Sequence, residues 1–180
     1  MRKKDIELAA VVILGGLFAW VWFSKSGRTL AQRAGSAVAT GVETVSNLAR
    51  GIRNNNPGNI RISGIAWQGK VADNTDGAFE QFATMSDGVR ALGKNLLTYF
   101  DRHGLNTVRG IISRWSPPSE NMTGSYVNAV AGQMGIKPDD RINVRERNTL
   151  AMLAEAIIQH ENGTGIAPGD LRSGIERALT

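Results

Sequence analysis

Cysteine is absent from the 180 residues, histidine and tyrosine occur twice each, and aromatic side chains make up only 6%. The missing thiols exclude a disulfide framework and a thiolate zinc site. With only His103 and His160, a three-ligand catalytic zinc would need a carboxylate as well. No metal-ligand spacing is present, so neither a metal nor another cofactor is expected. Also lacking are internal repeats, low-complexity tracts and the Gly-x-Ser-x-Gly elbow of a serine hydrolase. An acidic balance is lacking too: the net charge is +5, with a pI of about 10.0. That excess is unevenly placed. Residues 1–33 carry six Lys/Arg against two Asp/Glu, net +4, and residues 34–180 carry fifteen against fourteen, net +1. A near-neutral body is a poor phosphate-neutralising surface, which argues against nucleic acid as a partner.

What is present begins with an unbroken apolar run, Leu8 to Phe23, with charges on both sides. As a helix it would span roughly 24 Å, a little short of a ~30 Å hydrocarbon core. Trp20 and Trp22 suit an interface, and Lys4 and Lys25 can snorkel. A cleaved signal peptide is the competing reading, but no small-x-small site follows the run directly. The expectation is a single transmembrane anchor over residues 1–24, with residues 8–23 in the lipid and an orientation that the balanced flanks leave open. Residues 25–50, rich in Ala, Gly, Ser and Thr, read as a partly helical stalk.

Residues 51–180 read as one α+β domain, mostly α. The stretch from Arg61 to Phe82 is short-patterned and broken by Gly64, Gly69 and Gly77, which predicts small irregular β-hairpins. Helical periodicity follows. Asp87 is the expected cap of a helix running to His103, and Thr107 and Thr123 the caps of two shorter ones. A long helix is expected near residues 146–161 with Leu150, Leu153, Ala154, Ile157 and Ile158 inward, and a last short one in the tail.

Glu161 is the first candidate for chemistry. It lies four residues after Ile157, so it extends the apolar stripe, and it sits in a last helical turn whose carbonyls repel an anion. Burial and position both favour the uncharged carboxyl that a general acid needs. A frayed, solvated helix end is the plain alternative. Glu120, in a loop stiffened by Pro117 and Pro118, is the second candidate, though an acid there also suits the dipole of the next helix. Trp67, Trp115 and Tyr126 are expected to hold sugars, with an ordinary core aromatic as the plain alternative for Trp67 and Trp115. The stretch "GIRNNNPGNIR" at 51–61 carries four asparagines. Asparagine tolerates left-handed backbone and can build a rigid turn. Its amide also matches acetamido and hydroxyl groups, so Asn55 and Asn59 are expected on the rim of a carbohydrate cleft.

The strings RNNNPGNIR, WQG, FEQF, GLNTVRGIISRWSPPSEN, TGSYVNAVA and AIIQHENG cover most of residues 51–165. Together they resemble a family of phage and prophage virion-associated structural proteins, which implies a virion component with other virion proteins as partners. More loosely, Asn-Pro-Gly-Asn-Ile, Trp-x-Gly and Phe-x-x-Phe followed by a helix is similar to the β-lobe region of lysozyme-like murein hydrolases. In those enzymes a helix ending in Glu-Ser-Gly precedes the lobe; here Glu161-Asn162-Gly163 follows it. The likeness implies a circularly permuted, lysozyme-like domain with a small β-lobe, Glu161 as catalytic acid, and peptidoglycan as partner. The implied reaction is cleavage of the glycan strand by a lytic transglycosylase or muramidase, at the membrane-associated virion, for phage entry or exit. The alternative is a non-enzymatic virion membrane protein that uses the domain for glycan binding or assembly.

Overall fold

The computed structural model describes residues 11–14, 17–20, 48–117 and 123–180, which fall in two compact units, Met1–Asn47 and Leu48–Thr180. In the first unit, β1 (Val11–Leu14) pairs antiparallel with β2 (Leu17–Trp20), Val11 opposite Trp20 and Leu14 opposite Leu17. This overturns the expected transmembrane helix. The reason is legible afterwards: Gly15-Gly16 divides the run, and two glycines between β-branched and aromatic residues are a hairpin signal. No helix among the described residues is long and apolar enough to cross a membrane. Of the proposed stalk, residues 25–47 lie outside the described residues.

The second unit opens with the single turn α1 (Arg50–Arg53) and the Asn-rich turn. Five longer helices follow: α2 (Met85–His103), α3 (Val108–Trp115), α4 (Thr123–Gln133), α5 (Arg147–Asn162) and α6 (Pro168–Leu179). The cap of α2 is Thr84 and not Asp87; the Thr84 hydroxyl accepts from the Asp87 amide, and Asp87 occupies the first turn. Thr107 caps α3 through the Gly110 amide. Glu146 caps α5, accepting from the Thr149 amide, and Gly163 closes it in the left-handed region.

The predicted stripes meet in one core. Leu92 and Leu96 of α2, Ile111 and Ile112 of α3, and Leu150, Leu153 and Ile157 of α5 are all fully buried. Each such side chain contributes about 1.5–3 kcal/mol relative to exposure. Helix α6 lies close against α2 because glycine stands at the crossing. A Cβ at Gly174 would come within 2.4 Å of Val89, and one at Gly93 within 2.7 Å of Ala178.

The β-lobe is the second correction. Between residues 60 and 82 the backbone pairs only at isolated bridges, Arg61 with Phe79 and Lys70 with Phe82, and no strand forms in this unit among the described residues. Gly64, Gly69 and Gly77 cut each alternating run short. Side chains take over the pairing. Asn74 Nδ2 donates to the Phe79 carbonyl, Asp76 accepts from the Phe79 amide, and Thr75 donates its amide to Gln81. Such local bonds compete with a ladder. The unit is therefore helical with an irregular, side-chain-braced flap, and the expected lysozyme-like α+β domain with its β-lobe is not what forms.

Candidate active site

The flap is held by a buried charge. Glu80 is fully buried; its Oε1 accepts from the Ser63 amide at 2.9 Å and from Lys70 Nζ at 3.0 Å, while Nζ stands 2.9 Å from Oε2. Removing either partner from such a pair leaves an uncompensated charge inside the protein, a loss of about 3–5 kcal/mol. In the sequence, Glu80 and Phe82 share one side of the alternating FEQF, and that was the available signal for an inward carboxylate.

The Asn-rich turn divides its four amides unequally. Asn54 donates to Asp76 at 2.7 Å and accepts from Gln81. Asn56, wholly buried, donates to the carbonyls of Ile60 and Glu80 and accepts from the Ile60 amide. Asn55 adopts a left-handed φ of 50° and donates to the carbonyls of Phe82 and Ala83. All three thus hold the flap to the turn. Asn55, expected on a sugar-binding rim, is not among the residues lining the cleft. Gly88 seats the turn on α2: a Cβ there would stand 1.9 Å from the Asn55 carbonyl oxygen. Asn59 differs. It is also left-handed, at φ 49°, and its Nδ2 donates to Glu161 Oε2 at 2.9 Å.

Glu161 reaches that point because α5 carries its inward stripe into its last turn. The other carboxylate oxygen, Oε1, accepts from the Tyr126 hydroxyl at 2.8 Å and from Trp115 Nε1 at 3.3 Å. Three donors from the turn, α3 and α4 thereby fix the plane of one carboxyl group. Next to it, Asn162 Nδ2 bridges the carbonyls of Pro57 and Ile158, tying the end of α5 to the turn. Tyr126 is buried, and burial first, then the Glu161 charge, raises its phenol far above the ordinary tyrosine range, so it stays a donor. His160 covers Tyr126 as a stacked ring at 3.7 Å.

Glu161 opens into a cleft of about 440 Å³ between the flap and the helices. Asn59, Trp67 and Trp115 line it with Glu161, whereas Tyr126 lies behind the carboxylate and not on the lining. Trp67 is half-buried, with its Nε1 buried and unpartnered among the described residues. Glu120 lies outside the described residues. The sequence reading missed Tyr99 and Asn95, one turn apart on α2, and Ser63 and Phe79 from the flap, all of which line the cleft. Tyr99 stands edge-on to Trp115 with ring centres 6.4 Å apart. The signal was weak: Asn95 and Tyr99 follow the core positions Leu92 and Leu96 by three residues each, so they flank the buried stripe. Chemically, the arrangement is a positioned carboxyl beside two indoles and several hydrogen-bonding groups, able to exchange a proton with a ligand oxygen.

Over 143 residues the chain is 38% identical to Protein P5 of Pseudoalteromonas phage PM2, an alignment that covers 78% of this chain and 88% of that protein. No protein-family model matches the chain.

Proposed function

The chain belongs to the family of Protein P5 of Pseudoalteromonas phage PM2, and from that premise we propose that it is a virion-associated protein whose cleft cleaves the glycan strand of peptidoglycan. The observation that carries this reading is the Glu161 carboxyl, held by Asn59, Trp115 and Tyr126 in a cleft with Trp67 and Trp115 on its walls. Indole faces suit sugar rings, and amides suit acetamido groups.

The proposed reaction is built on the carboxylate that the described residues place in the cleft. Among the described residues, Glu161 is the one carboxylate lining the cleft. A glycosidase that uses water or a covalent intermediate wants two carboxyl groups about 5–9.5 Å apart. In the proposed reaction Glu161 serves twice. Glu161 gives its proton to the glycosidic oxygen as the C1–O bond breaks. Its carboxylate then takes the proton of that sugar's own 6-hydroxyl as O6 bonds to C1, and no water is consumed. This is a lytic transglycosylase reaction between N-acetylmuramic acid and N-acetylglucosamine. Asn59, and Tyr126 through its hydroxyl, keep the carboxyl plane in place through both steps.

Mass spectra of the soluble products test the reading. Full-length protein acting on purified cell walls is expected to release fragments ending in 1,6-anhydro sugar. Reducing ends would instead assign a hydrolase, and walls left intact by folded protein would remove the lytic reading.

A further inference from the structure

A second cavity, a shallow one open to the surface, meets the cleft at Tyr99, which lines both. Tyr99 faces Trp115 edge-on on the cleft side; it meets His103 edge-on at 6.3 Å and carries the Arg114 guanidinium over its face at 5.2 Å. Ser113, Leu105 and Pro117 complete the wall, and no acid lines it among the described residues. A guanidinium laid on an aromatic ring has a defined plane, and its fork of N–H donors matches a carboxylate. The described walls around it add an imidazole and a hydroxyl.

We propose that this second cavity is a binding site for the carboxylates of a peptide attached to the glycan, with Arg114 as its anion-binding residue. The proposal rests on the reading of the neighbouring cleft as a glycan site and names the substrate class: peptide-substituted glycan, not bare amino-sugar polymer. In peptidoglycan, alternate sugars carry a lactyl-linked peptide with free carboxylates. Tyr99 lines both cavities and carries Arg114 over its face, so in this reading a strand seated in the first cavity places its peptide in the second. Chitin, or glycan stripped of peptide, fills the first alone.

The test measures co-sedimentation of the full-length protein with intact cell walls and with walls whose peptides have been removed by an amidase. Wild type is expected to bind stripped walls about fivefold more weakly, the scale of one charge-assisted contact. Arg114→Gln, at an exposed position, is expected to bind both at the stripped-wall level. Arg172→Gln removes the same charge from an exposed position that lines neither cavity, and it is expected to keep the preference. Equal wild-type binding to both walls, a preference that survives Arg114→Gln, or an equal loss in Arg172→Gln each overturns the site. The two readings separate cleanly. Cleavage of stripped walls with no binding preference removes the peptide site and keeps the lytic function. An Arg114-dependent preference without cleavage does the reverse.

Discussion

Asn59 and Glu161 stand 102 positions apart in the chain, and the amide of the first donates to the carboxylate of the second at 2.9 Å. The contact joins the turn before the flap to the last turn of α5, so the geometry of the cleft depends on both. Asn59 also holds a left-handed backbone that glycine adopts without strain. Asn59→Gly is therefore expected to change stability by no more than about 1 kcal/mol, while the release of soluble wall fragments falls roughly 10- to 100-fold through loss of positioning. Thermal unfolding and a product assay on one preparation check the split.

Tyr126→Phe removes a buried donor and leaves Glu161 Oε1 with the longer Trp115 contact. The expected cost is about 1 kcal/mol of stability, because a partly buried acceptor loses its better partner. The phenol of wild type is held well above its ordinary range by burial and the adjacent Glu161 charge. Folding is accordingly disfavoured only where an unfolded tyrosine would ionise, above about pH 10. Urea midpoints across alkaline pH should fall in wild type and fall less in Tyr126→Phe.

Acid acts through the flap. The Arg50 guanidinium, followed by Asn54 and the Phe79 and Ala78 amides, holds the Asp76 carboxyl far below the usual carboxylate range against the opposing effect of burial. Its folded-state proton affinity is below that of the unfolded chain, so its stabilising effect is complete above about pH 4 and is lost as pH falls. Asp76→Asn is expected to lower the urea midpoint at pH 7 and to flatten its decline between pH 5 and 3. A variant whose midpoint declines as steeply as wild type over that range would contradict the assignment.

Gly88→Ala would place a Cβ against the Asn55 carbonyl oxygen, a backbone atom that cannot swing aside. Overpacking of this kind costs about 1–3 kcal/mol, and here it lifts the Asn-rich turn from α2. Hydrogen exchange should rise at the amides of Asn56 and Phe82 before it rises in α5. Uniform exchange across the unit would show that the turn is not seated through Gly88.

The helices were legible because α2, α3 and α5 carry 3.6-residue stripes that the core uses directly, and the approach of Glu161 to the interior was legible for the same reason. The N-terminal run misled: hydrophobicity and length dominated, while two glycines in mid-run are invisible to a composition average. The flap misled differently. Turn residues were read as joints between strands, whereas their side chains replace the strands. Among the asparagines, sequence could not rank Asn55 against Asn59, since both sit left-handed in the same turn and only the fold decides which amide meets the carboxylate. Tyr99 was missed because it flanks the buried stripe of α2 and its ring contacts with Arg114 and Trp115 depend on how α3 folds back.

Cell walls cast in a gel, run as a zymogram with full-length wild type and with Glu161→Gln whose folding is verified by circular dichroism, give the decisive test of Glu161 as the lytic acid. A cleared band is expected for wild type and none for the variant. Clearing by Glu161→Gln equal to that of wild type, or no clearing by either folded protein, would contradict that role.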